Sequence, residues 1–183
     1  MVLFRILHYD TLDSTNNKAK ELAKLGAEEG TVVFADYQTK GRGQFRRRWL
    51  SPKGKNLLFS IILRPVHMKV NSISMMTQVA AMSMRDTLQK ELNLKSKIKR
   101  PNDLLVQGKK VCGILVESSS YSNSVEYLIV GVGLNVNSKA NELVRRATSI
   151  YEEVGVKQDR NKLLGSFLRC FKDDYLQVSG KSK

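Results

Sequence analysis

Apolar residues recur along the chain with two different periods, and these periods predict its secondary structure. Three segments carry apolar residues at spacings of three and four, which is typical of helices with one buried face, and they begin at Ser14, Asn71 and Asp159. Seven shorter segments, bounded by glycine, proline or polar residues, are typical of strands. They cover residues 2–9, 31–36, 57–63, 97–99, 104–106, 111–116 and 126–130.

The order of these segments predicts an α+β fold. The last four strands follow one another without an intervening helix, and Gly108 and Lys109 fit a hairpin turn between two of them. A strictly alternating, doubly wound sheet is therefore disfavoured. We expect a mixed, largely antiparallel sheet with helices packed on one side. Because the chain contains no repeat, low-complexity segment or linker, we expect residues 1–183 to form a single domain.

Composition narrows the class of protein. The chain is 42% hydrophobic and 26% charged, which is ordinary for a globular protein. No apolar run approaches the roughly 18 to 20 residues of a membrane span, and the first residues lack the pattern of a signal peptide. We therefore expect a cytoplasmic protein with no membrane partner. Cys112 and Cys170 are too few for a zinc site or a disulfide framework, so both are expected to serve packing.

The chain is strongly basic, with a formal net charge of +14. Such a charge favours nucleic acid, acidic protein surfaces or phosphorylated small molecules as partners, without choosing among them. Zinc-finger spacing, an aromatic ribonucleoprotein motif and a convincing paired-helix signature are absent from the sequence. A basic nucleic-acid-binding protein without catalysis remains an alternative that is favoured by net charge alone.

The segment at residues 40–56 concentrates this charge, with seven cations, three glycines and one tryptophan but no acidic residue. Gly41 and Gly43 allow the backbone to approach a ligand closely. Arginines such as Arg42 can present guanidinium forks to carboxylate or phosphate oxygens, and Trp49 can stack on a flat heterocycle. The segment is thus interpreted as an anion-binding loop, with a solvated basic loop as the alternative.

Five short motifs lie in four segments of the chain and are informative together. The motifs, in order, are Ser-Thr-Asn at residues 14–16, Gly-Arg-Gly followed by Trp-x-Ser-Pro-x-Gly-x-Asn-Leu within residues 41–57, Pro-Asn-Asp at 101–103, Lys-x-x-Gly-Ile-Leu-Val-Glu at 110–117, and Gly-x-Gly-x-Asn at 131–135. Each motif alone is weak; Gly131 and Gly133, for example, could suggest a dinucleotide site but lack its third glycine. In this order, over nearly the whole chain, they together resemble the catalytic domain of biotin protein ligases.

The resemblance implies an architecture and an activity. The architecture is the mixed sheet of the biotin ligases and class II synthetases. The activity is ATP-dependent ligation: biotin and ATP form biotinyl-5'-AMP with magnesium, and biotin is then transferred to a lysine of a biotin carboxyl carrier protein. A homodimer is compatible with this reading, and a specific DNA partner is not implied. A lipoate or octanoyl ligase or transferase of related fold is the alternative.

The resemblance also assigns roles to residues of this sequence. Arg42 and Lys110 are expected to be catalytic, since preorganised cations can bridge the two anions that react. Asn102 and Asp103 are expected near magnesium. The biotin-binding set is Ser14, Thr15, Asn16, Gln38, Gly41, Arg42, Gly43, Gln44, Lys110, Gly113, Gly131 and Gly133. The ATP-binding set is Arg42, Arg47, Trp49, Asn102, Asp103, Lys110 and Asn135. For Ser14, a simple helix cap is the alternative role.

Three departures from the family pattern qualify these assignments. Gln44 stands where the family commonly has arginine, and Arg100 stands where it usually has tryptophan. The sequence ends at Lys183, where many members continue into a small β-barrel domain, and we expect no N-terminal DNA-binding extension. We therefore expect the C-terminal β-barrel to be absent and repressor activity to be lacking.

Overall fold

The computed structural model describes residues 2–65, 68–122 and 124–179, and for Arg46 and Asn71 the backbone alone. One seven-stranded sheet has the order β1-β2-β3-β7-β6-β5-β4. Its strands are β1 (Arg5–Leu12), β2 (Thr31–Gln38), β3 (Leu57–Leu63), β4 (Lys97–Lys99), β5 (Asp103–Val106), β6 (Lys109–Tyr121) and β7 (Ser124–Leu134). The α-helices are α1 (Thr15–Lys24), α2 (Ile73–Leu92), α3 (Ile150–Val154) and α4 (Arg160–Val178). Strands β1 and β2 are parallel, and all other neighbours are antiparallel.

The predicted fold class is confirmed, and the differences concern the ends of some strands, one short helix and the placement of α1. Strands β6 and β7 are longer than the predicted runs at 111–116 and 126–130. The residues added at the end of β6, 117–121, are mostly serine and other polar residues, and in β7 glycines interrupt the apolar run after residue 130, although the backbones remain paired. Helix α3 was not predicted because its five residues are too few to show a helical period.

One face of the sheet packs against α2 and α4. Alternate residues of β3, among them Phe59 and Ile61, lie in the same buried cluster as apolar residues of both helices. Phe59 contacts Phe167 edge to face with ring centroids 5.2 Å apart. Cys112 is buried in the same cluster. Burial raises the pKa of the Cys112 thiol to about 12, so the thiol stays protonated at neutral pH, as suits a packing residue.

Helix α1 packs on the opposite face of the sheet. Ala19 and Ala23 form a second buried cluster with Val33, Ile62 and Ile129, which alternate along their strands with the residues of the first cluster. The expectation of helices on one side therefore holds for α2 and α4 but not for α1. The physical reason is that α1 connects the parallel strands β1 and β2, and such a crossover must run over one face.

The part of this second face beyond α1 is lined by small residues. Ser60 of β3 lies opposite Gly131 of β7, and Gly133 lies opposite Gly113 of β6. These residues share one face of the sheet because side chains alternate along each strand. The loop between β2 and β3 contains the basic segment and covers this area. Within the described ranges, no helix is long and apolar enough to cross a bilayer.

Candidate active site

A cavity of about 370 Å³ lies between this glycine-rich part of the sheet and the basic loop. All four predicted segments contribute to its lining, so residues far apart in sequence meet at one place. The predicted residues that line it are Ser14, Thr15, Asn16, Gln38, Arg42, Gly43, Gln44, Arg47, Trp49, Asn102, Asp103, Lys110, Gly113, Gly131, Gly133 and Asn135. The remaining one, Gly41, lies in an adjoining groove between the loop and the Leu115–Glu117 segment of β6.

The basic loop forms a small hairpin. The backbone N–H of Gly43 donates to the carbonyl of Arg47 at 2.8 Å, and that of Trp49 donates to the carbonyl of Gly41 at 3.0 Å. A Cβ atom on Gly41 would lie 2.4 Å from the Trp49 carbonyl oxygen, so the two arms approach this closely because Gly41 has no side chain. Phe45 at the tip has a left-handed φ of 54° and is 84% exposed. The hairpin therefore holds Arg42 and Trp49 at its base.

One end of the cavity is formed by the start of α1. Ser14 is the N-cap of α1, but its side chain accepts no capping hydrogen bond, which contradicts a simple capping role. Thr15 donates its backbone N–H to Gln38 Oε1 at 2.7 Å, and the Thr15 hydroxyl lies 3.1 Å from the same oxygen. These contacts turn the Gln38 carbonyl toward α1. Hydroxyl and amide groups thus line a polar end of the cavity.

Ser60 fixes the hydrogen-bonding direction of this polar end. Its buried hydroxyl lies 2.8 Å from Thr15 Oγ1 and 2.6 Å from Asn16 Oδ1. Because an amide oxygen only accepts, the single Ser60 proton goes to Asn16. The Thr15 hydroxyl then donates its proton either to Ser60 Oγ or to Gln38 Oε1. In either case Thr15 offers lone pairs to the cavity, which suits a ligand N–H group.

The glycines make room for two side chains of the site. A Cβ atom on Gly131 would lie 2.0 Å from Asn16 Oδ1, and one on Gly133 would lie 2.5 Å from the Trp49 indole. A Cβ atom on Gly113 would lie 2.9 Å from the same indole. The space over the bare strands is thus taken by Asn16 and Trp49. Trp49 Nε1 is buried and has no hydrogen-bond partner among the residues described.

The charged residues of the lining are mostly cations. Lys110 Nζ lies 2.6 Å from Asp103 Oδ1 and 5.4 Å from the centre of the Trp49 ring. The ion pair lacks hydrogen-bond geometry, so this buried carboxylate oxygen has no hydrogen-bond partner within the described chain. Arg100, which departs from the family pattern, adds a cation here. The lining cations are Arg42, Arg47, Arg48, Lys99, Arg100 and Lys110, and Asp103 is the one acid among the lining residues. Such a site favours an anionic ligand.

Two asparagines in the cavity lining use only part of their hydrogen-bonding capacity within the protein. Asn102 Nδ2 donates to the carbonyl of Ile114 at 2.8 Å. Asn135 is buried, and its Nδ2 donates to the carbonyl of Thr148 at 3.0 Å. Both side chains are therefore held in place by strand or loop backbone, and each keeps its amide oxygen as an acceptor with remaining capacity.

Three supporting residues were missed by sequence reasoning: Ser60, Lys20 and Glu117. Ser60 is a polar residue inside the otherwise apolar strand β3, and that interruption was a usable signal. Lys20 follows Asn16 by four positions, so both lie on one side of α1. Glu117 ends the Lys-x-x-Gly-Ile-Leu-Val-Glu motif, and an acid at that fixed place beside cationic segments was a usable signal.

Glu117 binds Asn16, Lys20 and Arg42. Its carboxylate accepts from Asn16 Nδ2 at 2.7 Å, from Lys20 Nζ at 2.5 Å, and from both Arg42 Nη atoms at 2.7 and 3.1 Å. Burial opposes ionisation of Glu117, but the hydrogen bonds from Lys20 and Asn16 and the positive charge of Arg42 outweigh it. The net effect lowers the pKa of Glu117, which keeps it ionised at neutral pH.

Comparison with known proteins places this arrangement in a family. The sequence profile of the Biotin/lipoate A/B protein ligase family matches residues 9–135. The Bifunctional ligase/repressor BirA of Bacillus subtilis is 38% identical over 174 residues, which cover 93% of this chain and 53% of that protein. The Biotin--[acetyl-CoA-carboxylase] ligase of Mycobacterium tuberculosis is 30% identical over 160 residues, which cover 85% of this chain and 58% of that protein.

A solved structure agrees with these sequence matches. The biotin protein ligase of Aquifex aeolicus, in complex with biotin and ATP, superposes with a TM-score of 0.83 at 32% identity, covering 97% of this chain and 73% of that one. This chain spans about half the length of the two relatives from Bacillus subtilis and Mycobacterium tuberculosis. Because the profile covers 127 of the 183 residues, the chain belongs to the Biotin/lipoate A/B protein ligase family.

Proposed function

We propose that this protein is an ATP-dependent biotin ligase that makes biotinyl-5'-AMP and transfers biotin to a lysine of a biotin carboxyl carrier protein. The observation that carries the proposal is one cavity with a polar end at Thr15 and Gln38, an indole at Trp49 and six cations in its lining. A neutral heterocycle bearing a carboxylate and a nucleotide fit these parts. The relatives from Mycobacterium tuberculosis and Aquifex aeolicus are named as biotin ligases.

The first half-reaction joins two anions. A carboxylate oxygen of biotin attacks the α-phosphorus of ATP, the bond from that phosphorus to the bridging oxygen breaks, and pyrophosphate leaves. Electrostatic repulsion raises the barrier, so fixed cations beside both groups lower it. Arg42 and Lys110 are assigned this role. Trp49 is assigned to the adenine, Arg47 to the phosphates, and Thr15 to an N–H of the biotin ring.

Magnesium would enter this site together with ATP. Among the residues described, no group of three or more acidic, histidine or cysteine side chains could hold a metal by itself. Asp103 Oδ1 is ion-paired with Lys110 but accepts no hydrogen bond, and Asn102 keeps its amide oxygen. One carboxylate plus substrate phosphates is a usual set of magnesium ligands. The residues therefore fit a nucleotide-bound magnesium, which would neutralise phosphate charge.

The second half-reaction uses the acyl adenylate as the donor. A neutral amine of the carrier lysine attacks the acyl carbon, the bond to the phosphate oxygen breaks, AMP leaves and the amine loses a proton. Positioning of the two groups supplies most of the acceleration in such a step. The carrier protein is assigned as the macromolecular partner, and the cytoplasm as the compartment.

Pyrophosphate release tests the proposal directly. The protein is mixed with MgATP and either biotin, lipoate or octanoate, and pyrophosphate is measured over time. Release that depends on biotin supports the assignment. Release with lipoate or octanoate alone would replace it with the lipoate-type activity. If no acid supports release, and DNA is retained in a salt-sensitive way, a nucleic-acid-binding role would be favoured instead.

The basic loop is expected to become protected from protease when ligands bind. Its cations repel one another until an anion lies among them, and the described hairpin contains few backbone hydrogen bonds. Trypsin cleavage after Arg47 and Arg48 should slow at least about tenfold with biotin and MgATP, because cleavage follows the open population. Biotin methyl ester, which lacks the carboxylate, serves as the control ligand. Equal cleavage with and without saturating biotin and MgATP would contradict ligand-dependent ordering.

A further inference from the structure

The Arg42 side chain lies at the boundary between the cavity and the adjoining groove. Arg42 lines both spaces, whereas Glu117 lines the groove but not the cavity. The two Nη atoms of Arg42 are each paired with one carboxylate oxygen of Glu117, at 3.1 and 2.7 Å. This is the bidentate arrangement that an arginine forms with a carboxylate ligand. A substrate carboxylate must therefore compete with Glu117 for the same guanidinium fork.

Glu117 keeps other partners when Arg42 leaves it. Lys20 Nζ lies 2.5 Å from Oε1, and Asn16 Nδ2 lies 2.7 Å from Oε2, so each oxygen retains one hydrogen bond. The Glu117 side chain is only 19% exposed, so a Glu117 carboxylate left without any partner would be unfavourable. The two remaining contacts remove that obstacle. Arg42 is itself 37% exposed, which leaves it room to move.

We propose that Glu117 is a positioning residue whose carboxylate binds Arg42 until the acid group of the substrate takes its place. We further propose that Lys20 weakens this hold, which is the ion pair between Glu117 and Arg42. The identity of the substrate acid rests on the proposed function. The hold on Arg42 itself rests on the contacts in the groove. Lys20 acts through Glu117 because a second cation on the same carboxylate reduces its attraction for Arg42.

Glu117→Gln is the first test. Glutamine keeps one oxygen for Asn16 but loses the charge and the second acceptor for Arg42. Biotin, titrated calorimetrically, should bind about three- to fivefold more tightly, because a partly exposed ion pair no longer competes. Trypsin should also cleave the basic loop faster in the absence of biotin. The matched control is Glu126→Gln on β7, which removes a glutamate that accepts from Ser119 and should change neither result.

Lys20→Met is expected to have the opposite sign. Without Lys20, Glu117 should hold Arg42 more strongly and biotin should bind about threefold more weakly. In the double variant with Glu117→Gln, the effect of Lys20→Met should disappear. If Lys20→Met still weakens biotin binding in the double variant, Lys20 attracts the biotin carboxylate directly and not through Glu117. That result would overturn the proposal. Lys18→Met, which removes a lysine paired with Glu21 on the same helix, is the matched control.

Other results of these experiments also support or contradict the proposal. Weaker biotin binding by Glu117→Gln with unchanged loop cleavage would make Glu117 a mere support for Asn16. Should Glu117→Gln fail to fold, as checked by thermal unfolding, Lys20→Met decides alone, since unchanged or tighter binding contradicts the proposal. If the unsubstituted protein binds no biotin, the proposed function fails, and the loop cleavage rates still test the hold on Arg42.

Discussion

Replacing Lys110 with alanine is expected to slow adenylate formation by about two orders of magnitude or more while the protein remains folded. Loss of one transition-state charge contact typically costs about 3 kcal/mol, and that is about a hundredfold in rate. The Lys110 side chain lies 2.6 Å from Asp103 and above the Trp49 ring. Its removal also leaves Asp103 without its positive neighbour, in a site that is to receive phosphates, and this adds repulsion.

The measurement is pyrophosphate release with saturating biotin and MgATP, and thermal unfolding checks the fold. Lys109→Ala is the control, because Lys109 is the preceding residue of β6 and is exposed. Its loss should leave the rate of release nearly unchanged. A folded Lys110→Ala variant with near-normal release would remove Lys110 from the mechanism.

Elements marked by a local pattern, such as an apolar run, a bounding turn or a capping residue, were predictable from the sequence. The predicted strands at 57–63 and 97–99 coincide with β3 and β4, and Asp159 caps α4 as its predicted first residue. These segments carry their own signal, since periodicity and capping are local properties. The outer half of β6 carries none, because its strand character comes from pairing with β7 rather than from its own residues.

For the site, the lining residues were predictable from the sequence, but the contacts between them were not. The motifs led to the cavity-lining residues, because each motif is contiguous in sequence. The contacts between motifs were not predictable, as they depend on how the strands are aligned. Ser60 reaches Thr15 and Asn16 across 45 and 44 positions of sequence. The site also requires α1 to lie on the face of the sheet that bears the glycines. This placement follows from the sheet topology and is not marked by any local sequence pattern.

The importance of that alignment can be tested at Gly131. Gly131→Ala is expected to weaken biotin binding by about one to two orders of magnitude, since a buried polar group that loses its hydrogen-bond partner typically costs about 1 to 3 kcal/mol. The added Cβ atom would lie 2.0 Å from Asn16 Oδ1, and a carbon and an oxygen that are not bonded to each other cannot approach so closely. Asn16 must then leave Ser60 and Glu117, and the hydrogen-bonding direction of Thr15 is no longer fixed.

Calorimetric titration with biotin measures the loss, and Gly165→Ala in α4 provides the matched control. A Cβ atom on Gly165 would meet no atom closer than 3.6 Å, and the residue lies inside a helix. That variant should bind biotin normally and gain about 0.5 to 1 kcal/mol in free energy of unfolding, because alanine favours a helix over glycine. Thermal unfolding separates the two effects. If Gly131→Ala is folded and binds biotin as tightly as the unsubstituted protein, Asn16 and its hydrogen bonds do not order the polar end, and the contact assigned to Thr15 loses its basis.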